Sequence, residues 1–167
     1  MPPTDINERA EYYRIRARRQ GRGHYLAARR SQRLNNWFGV PVVIITAVVG
    51  TTIFSTISSS PSTWLKIIAG LLSLLAAVLA ALQTFFKFAE QGEKHLRAAA
   101  SYYSVKRNLD MFLLQHTHAN EEDRDGIIKH LNIIIDEIDQ LDKESPNVPD
   151  DLYDRAKHEQ IKDAEGT

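Results

Sequence analysis

The side chains best suited to bind a metal ion are two histidines in the second half of the chain. His116 and His118 are two residues apart, a spacing that places them on different faces of a helix. Only from a loop could both reach one ion, and the neighbouring Asn120 and Glu121 are compatible with a loop. No second pair of ligands accompanies them, as a metal site would require. The sequence therefore predicts a polar helix end here and no metal site.

Residues arranged for covalent catalysis are not found either. The sequence has no glycine-rich phosphate loop, no H-E-x-x-H pair and no nucleophile elbow of the hydrolase type. It also contains no cysteine, which excludes disulfide bonds and thiolate metal sites. We expect a protein that is not an enzyme and needs no cofactor.

The strongest charge signal is a group of arginines ahead of the first apolar segment. Nine arginines but only three acidic residues lie within residues 1–37. Five of these arginines recur close to the helical repeat, so a helix through this region carries a basic stripe. The basic stripe consists of Arg14, Arg18, Arg22, Arg29 and Arg33.

Three kinds of partner could neutralise the basic stripe. Anionic lipid is one, since each arginine near a membrane surface contributes about 1 kcal/mol. A nucleotide or nucleic acid is another, although aromatic residues for base stacking are sparse among the arginines. The third is a set of carboxylates on a later helix, Asp136, Glu137 and Asp139. Lipid together with intramolecular pairing is favoured, nucleic acid is disfavoured, and a nucleotide stays open because of Tyr12, Tyr13 and Tyr25.

Two long apolar segments, residues 38–57 and 65–86, determine the class of the protein. Each has about the 20 residues that a helix needs to cross a bilayer. The only charged residue in either is Lys66, at the start of the second, whereas a core helix of a soluble bundle would keep a polar face. The short connection 58–64 allows the chain to reverse, which predicts a transmembrane helical hairpin.

Basic residues flank the hairpin on one side only. Arg29, Arg30 and Arg33 precede the first segment and Lys87, Lys94 and Arg97 follow the second, while the connecting loop has none. Because positive charge is retained on the cytoplasmic side, we expect both termini in the cytoplasm. The predicted organisation is a basic cytoplasmic helix (1–37), the hairpin (38–86) and a cytoplasmic helical region (87–167).

Polar and small residues inside the two segments are candidates for function. Hydroxyls of the first segment could line a water-filled path, or they could simply bond to their own backbone. The candidates for lining are Thr46, Thr52, Ser55 and Thr56. Small residues of the second segment fall on one face and predict a helix-packing seam, whose partner is either the first segment or another copy. The seam consists of Gly70, Ser73, Ala77, Ala80, Ala81 and Thr84. Two spans cannot enclose a lumen, so any pore requires an oligomer.

The remaining chain is also predicted to be helical. Pro41 marks a bend or, preferably, the start of the spanning helix, and the second span is expected to continue as one helix to about His116. A further helix over 121–142 has apolar residues in steps of four and three, the pattern of a bundle core. These core positions are Ile127, Leu131, Ile134, Ile138 and Leu141. Residues 145–149 break that helix, and a short one follows from Asp150 to about Ile161. The fold class is therefore an all-α membrane protein, a two-span hairpin with long cytoplasmic helices forming a bundle.

This arrangement resembles the SLATT domain. The local match is the stretch 93–103, EKHLRAAASYY, followed by the isoleucine-rich helix and by Pro146-Asn147-Val148-Pro149 with Tyr153 and Ala156. The resemblance implies a membrane effector of bacterial conflict systems, placed in the inner membrane beside nucleotide-making or nucleotide-sensing partner proteins. It further implies homo-oligomers that form pores and arrest or kill an infected cell.

Two functions are consistent with these features. The first is a defensive effector that permeabilises the membrane on activation, with a rearrangement of the cytoplasmic helices transmitted through the continuation of the second span. The alternative is a non-conducting scaffold, whose spans are only an anchor and whose cytoplasmic bundle recruits a partner protein.

Overall fold

The computed structural model describes residues 5–56, 62–116 and 124–165. Five helices occupy these ranges: α1 (Ile6–Thr56), α2 (Thr63–Phe86), α3 (Phe88–His116), α4 (Arg124–Glu144) and α5 (Asp150–Glu165). No strand occurs within them. The all-α class predicted from the sequence is confirmed for this part of the chain.

The chain divides into two compact units. The bundle unit comprises Met1–Arg29 and Glu93–Thr167, and the hairpin unit comprises Arg30–Gly92. Helix α1 contributes residues to both units without an interruption. The hairpin unit contains the rest of α1, all of α2 and the first residues of α3.

The hairpin unit exposes most of its large apolar side chains. Val43 of α1 is 68% exposed and Leu74 of α2 is 64% exposed. Both apolar helices are long enough to cross a membrane, and only 6% of the apolar stretch of each helix is buried. Core helices of a soluble protein would bury such residues against other elements. The pattern is that of a membrane protein, in which lipid covers these side chains.

Pro41 does not begin a helix, and the preferred interpretation of this residue was wrong. α1 runs through Pro41 from Ile6 to Thr56. A proline inside a helix removes one backbone hydrogen bond, here the one to the carbonyl of Trp37. Membrane helices tolerate this loss because neighbouring groups and local adjustments satisfy the freed carbonyl.

The second span does not continue as a single helix, and that expectation was also wrong. α2 ends at Phe86, and Lys87 adopts a left-handed conformation (φ 48°) before α3 begins at Phe88. Phe88 stacks on Phe86, with ring centroids 5.3 Å apart, and on Phe38 of α1 at 5.6 Å. In an uninterrupted helix, residues two apart point to different faces. The left-handed residue, at a cost of about 1–2 kcal/mol, brings the rings of Phe86 and Phe88 to one side.

The bundle unit has a core built mainly from α3 and α4. Alanines of α1, Ala10 and Ala17, let that helix approach closely. The larger core side chains come from the other two helices: Tyr102, Val105, Leu109, Phe112, Ile127, Leu131, Ile134, Ile135 and Ile138. A second small cluster joins α1 to α5 through Leu26, Ala27, Leu152 and Ala156, with Val148 packed against it.

The helix ends in the bundle unit depend on local sequence. α4 ends at Glu144, and α5 begins at Asp150 after the proline-containing connection. The amide N–H groups of Leu152 and Tyr153 donate to the carbonyl of Pro149, which closes the first turn of α5. α5 extends past the predicted end at Ile161 to Glu165. The predicted start of the preceding helix at Asn120 and Glu121 lies outside the described residues.

Candidate functional site

The small-residue seam predicted on α2 lies on the surface of the hairpin unit. Gly70, Ser73, Ala77, Ala81 and Thr84 are exposed, and only Ala80 is half-buried. A Cβ added at Gly70 would meet no atom within 4 Å. The structure therefore places most of this face away from α1.

A neighbouring face of α2 packs against α1 instead. Its central residue, Ala76, is buried, and Ala69, Leu72, Leu79 and Gln83 are half-buried on the same side. The Nε2 of Gln83 donates a hydrogen bond to Asn35 Oδ1 of α1, at 3.0 Å. Gly39 permits this approach, because a Cβ there would lie 3.0 Å from Gln83 Nε2.

The hydroxyl residues of α1 do not form one common face. Thr46 is exposed whereas Thr52 is half-buried. Thr46 Oγ1 donates to the carbonyl of Val42 at 2.8 Å, and Thr52 Oγ1 donates to the carbonyl of Val48 at 2.8 Å. Both hydroxyls thus donate a hydrogen bond to a carbonyl of their own helix. Ser55 and Thr56 lie in the last turn of α1, and their side chains lie outside the described residues.

The arginines of the N-terminal half of α1 pair with carboxylates of three different helices. Arg14 Nη1 donates to Asp110 of α3 at 3.3 Å, Arg16 pairs with Asp142 of α4, and Arg22 Nε donates to Glu159 of α5 at 2.7 Å. The acidic residues expected as partners, Asp136, Glu137 and Asp139, are exposed on α4.

The stripe is not uniform along α1. Arg14 and Arg22 belong to the bundle unit and have carboxylate partners there. Arg18 lines a pocket beside Arg22. Arg29 and Arg33, near the junction of the two units along the chain, are exposed. The basic face thus has one part engaged within the bundle unit and one part that faces solvent.

A chain of polar groups, absent from the sequence-based predictions, joins α1, α3 and α4, and its first three members, His24, His95 and Tyr102, are buried. His24 Nδ1 and His95 Nδ1 are 3.0 Å apart, so one ring donates and the other accepts. The His24 ring stacks on Tyr102 at 5.4 Å between centroids, and the Tyr102 hydroxyl donates to Asp142 Oδ1 at 2.5 Å. Asp142 in turn pairs with Arg16.

Burial keeps both imidazoles neutral. Desolvation, followed by the proximity of His95, lowers the pKa of His24 to about 4, and desolvation lowers the pKa of His95. Burial and the hydrogen bond to Asp142 raise the pKa of the Tyr102 hydroxyl. The groups around His24 are therefore a neutral imidazole, a neutral phenol and, beyond it, a carboxylate paired with Arg16.

Acid should destabilise the bundle unit through this histidine pair. The pKa of His24 is lower in the folded than in the unfolded state. The contribution of neutral His24 to the free energy of unfolding is therefore complete above pH 6.5 and is lost as the pH falls towards 4. The full effect is about 3 kcal/mol. We expect the thermal midpoint of the wild type to fall between pH 6.5 and 4.5 more steeply than that of His24→Gln, measured by differential scanning fluorimetry. Parallel curves for the two proteins would refute this assignment, because the acidic residues titrate equally in both.

Of the two histidines considered as metal ligands, the structure describes only His116. His116 lies near Phe112 and His130, with ring centroids 4.7 Å and 6.1 Å away. His118 lies outside the described residues. Among the described residues, no group of three or more histidine, aspartate or glutamate side chains could hold a metal ion.

Several of the residues that carry the resemblance are buried in the bundle unit. Within 93–103, four residues of α3 are buried: His95, Ala98, Ala99 and Tyr102. Ala156 of α5 is buried against Leu26 and Ala27. A family model described as SMODS and SLOG-associating 2TM effector domain family 4 (SLATT_4) matches residues 20–167. The chain belongs to the SLATT family.

Membership confirms the family expected from the sequence and accounts for the two apolar helices. The matched region includes α1 from residue 20, all of α2 and everything that follows. The chain is thus a SLATT two-transmembrane effector domain, a class associated with conflict systems. No curated protein and no solved structure matches the chain.

Sequence reasoning missed the contacts of His24 for a clear reason. Its partner His95 is 71 residues away, and a single histidine in a helix carries no signal of a distant partner. The spacing of His95, Ala98, Ala99 and Tyr102 in steps of three, one and three does indicate one face of α3. That pattern could have identified His95 as buried, though not the ring against which it packs.

Proposed function

We propose that this SLATT protein is a membrane effector of a bacterial defence system that oligomerises and permeabilises the inner membrane when activated. Both termini lie in the cytoplasm in this proposal, as the basic residues flanking the hairpin favour. It acts by changing its assembly, and no residue is assigned covalent chemistry. The activating partner is a nucleotide-sensing or nucleotide-synthesising protein.

The observation that supports this proposal most is the unoccupied small-residue face of α2. The hairpin uses the face around Ala76 for its own packing, whereas Gly70, Ser73, Ala77 and Ala81 face outward. In lipid, helices associate through small residues that allow close backbone contact. A hairpin that packs its own helices through one face of α2 and leaves the small-residue face outside has a surface suited to another copy. Several hairpins joined in this way supply the helices that a lumen needs.

Helix α1 is the element best suited to connect activation with the hairpin. It is unbroken over 51 residues and contributes to both units. The route through α2 and α3, expected from the sequence, contains the left-handed residue Lys87. A rearrangement that shifts or rotates α1 within the bundle unit would therefore act directly on the hairpin's first helix.

Cysteine accessibility provides a direct test, because the chain contains no native cysteine. Thr46→Cys and Thr52→Cys are reconstituted in vesicles and treated with a charged, membrane-impermeant methanethiosulfonate. A cysteine that lines the lumen reacts with the reagent, and the reaction lowers the rate of dye leakage several-fold, since a ring of added charges narrows the path. Ile44→Cys is the control, because Ile44 lies on the same helix and its side chain is 57% exposed. The reagent should not change the dye leakage from vesicles that contain this variant.

The scaffold alternative gives a different result in the same experiment. A protein that inserts and forms oligomers, yet produces no leakage before any reagent is added, is an anchor and not a pore. If the wild type leaks but neither threonine variant nor the corresponding Ser55 and Thr56 variants respond, the hydroxyls of α1 do not line the path.

A further inference from the structure

A pocket of about 410 Å³ opens on the bundle unit between α1, α3 and α5. Three arginines of α1 line it, Arg18, Arg19 and Arg22, together with Tyr103 of α3 and with Glu159 and Gln160 of α5. The volume falls in the range of small-molecule sites, about 300–1,000 Å³. Among the described residues that line it, three are arginines and Glu159 is a carboxylate, so this part of the wall is rich in cationic donors.

The glycines on either side of Arg22 lie where side chains from other parts of the bundle unit approach the α1 backbone. A Cβ at Gly21 would lie 3.4 Å from the Tyr103 ring, and a Cβ at Gly23 would lie 3.2 Å from Val148. Gly23 therefore lets Val148 pack close to the α1 backbone, whereas a Cβ at Gly21 would make an ordinary contact with Tyr103. Arg22, between them, is directed to α5 and also lies 5.6 Å from the Tyr25 ring centroid. The motif Gly21-Arg22-Gly23 therefore presents one arginine within closely packed walls.

The pocket already contains one oxyanion of the protein itself. Glu159 Oε2 accepts from Arg22 Nε at 2.7 Å, and Glu159 Oε1 accepts from Arg155 Nε at 3.2 Å. The hydrogen bond from Arg22 lowers the pKa of Glu159, so its carboxylate is charged at neutral pH. Both side chains of the Arg22–Glu159 pair remain about a third exposed. Such exposed pairs contribute only about 0–1 kcal/mol, so a stronger anion can replace the carboxylate.

A phosphate group fits this arrangement better than a carboxylate does. Guanidinium groups bind phosphate oxygens through paired hydrogen bonds, and these charge-assisted bonds are about twice as strong as neutral ones. Arg18, Arg19 and Arg22 lie on successive parts of one helix face, and the ring of Tyr103 forms part of the wall. We propose that this pocket binds a small phosphorylated ligand, whose phosphate takes the place of the Glu159 carboxylate at Arg22.

Ligand binding would loosen one end of α5. Near the pocket, α5 is held by the Arg22–Glu159 pair and by Gln160, which accepts from Arg19 Nε and donates to the Ile15 carbonyl, both at 3.3 Å. Leu152 and Ala156 hold the preceding turns against α1 through apolar contacts. Displacement of Glu159 therefore removes the ion pair that holds this end of α5 and leaves only the two hydrogen bonds of Gln160, while the beginning of the helix stays packed. This gives the effector a means of responding to a ligand within its own chain.

Calorimetry on the detergent-solubilised full-length protein tests the site. The probes are inorganic pyrophosphate and ATP, added to the wild type and to Arg19→Gln, Arg22→Gln and Arg29→Gln. We expect the first two variants to weaken binding by about tenfold or more, as loss of a charged hydrogen bond does. Arg29→Gln removes the same charge from an exposed position of the same helix and should bind as the wild type does.

A second pair of variants separates the displacement of Glu159 from general attraction of anions. Glu159→Gln removes the competing carboxylate at nearly constant size, and Asp154→Asn removes one negative charge from an exposed position on α5. We expect several-fold tighter pyrophosphate binding for Glu159→Gln and no comparable change for Asp154→Asn. Equal effects of the two variants would overturn the displacement of Glu159 by phosphate.

A third measurement identifies the source of the phosphate. Vesicles of phosphatidylglycerol and of phosphatidylcholine are compared for binding of the same variants. The control for vesicles is Arg107→Gln, at an exposed position of α3 outside the basic stripe. If soluble probes fail to bind but Arg19→Gln and Arg22→Gln reduce association with the anionic vesicles more than Arg107→Gln does, the ligand is a lipid headgroup. If no probe distinguishes the pocket variants from Arg29→Gln and no vesicle distinguishes them from Arg107→Gln, the site does not exist. Calorimetry needs no pore, so this result is independent of the leakage experiments.

Discussion

Replacing Ile138 by alanine is expected to lower the free energy of unfolding of the bundle unit by about 2–5 kcal/mol. Ile138 is fully buried, at 0% exposure, in the core shared by α1, α3 and α4. The truncation leaves a cavity among large side chains that cannot all move into it, so transfer energy and packing contacts are both lost. Thermal unfolding followed by circular dichroism in one fixed detergent measures the change.

Ile133 provides the matched control on the same helix. Its side chain is 60% exposed, so Ile133→Ala makes the same chemical change without forming a cavity. We expect its effect on the unfolding free energy to stay within about 0.5 kcal/mol. Equal destabilisation by the two variants would show that α4 packs through a different face from the one described.

The regular features of this fold were predictable because they depend on local spacing. Isoleucines and leucines in steps of three and four define one face of α4 whatever its partner is, and four of the five core positions proposed there are buried, with Leu141 half-buried. The proline-containing connection after Glu144 follows equally from local chemistry. A length of about 20 apolar residues identifies a candidate span without knowledge of its neighbours.

The interruption at Lys87 could not be predicted in the same way. The residues around it continue an apolar stripe at helical spacing, which favours one long helix. What compensates the left-handed conformation is the stacking of Phe88 on Phe86 and on Phe38. Each aromatic pair contributes about 0.5–1.5 kcal/mol, but Phe38 lies 50 residues away along the chain. Local pattern contains no information about that contact.

The face of α2 that packs on α1 was beyond sequence reasoning for another reason. A helix that is apolar on all sides has no polar face to indicate its orientation. Ala76 and Ala77 are adjacent and chemically identical, yet the first is buried and the second is exposed. Gln83, the one amide in the segment, marks the inner face through its bond to Asn35.

The arginine stripe predicted from helical spacing does not by itself identify the pocket. Helical spacing relates Arg14, Arg18 and Arg22, but the pocket also includes Arg19, which does not belong to that stripe. Its other wall comes from α5, more than 130 residues later in the chain. The glycines at positions 21 and 23 were a signal in the sequence, because glycines flanking an arginine within a helix suggest close packing around it.

Ala77→Leu is expected to prevent oligomer formation and to reduce vesicle leakage to the background level. Ala77 lies at the centre of the outward small-residue face of α2, between Ser73 and Ala81. A leucine there keeps the hairpin apolar but separates two helix backbones that need close contact. Overpacking of this kind costs about 1–3 kcal/mol at each contact, and a closed ring repeats that cost in every copy. Crosslinking in membranes and dye leakage measure the two effects together.

Val78→Leu is the appropriate comparison for this variant. Val78 is the next residue along α2 and is 49% exposed on a different face, so the added methylene meets lipid and no second helix. Both variants should insert equally, since neither alters charge or hydrophobic length. Loss of leakage in Ala77→Leu alone assigns the seam to contacts between copies. If Ala77→Leu forms oligomers and leaks as the wild type does, another face of the hairpin joins the copies, because a leucine at a tightly packed alanine cannot be accommodated without separating the helices.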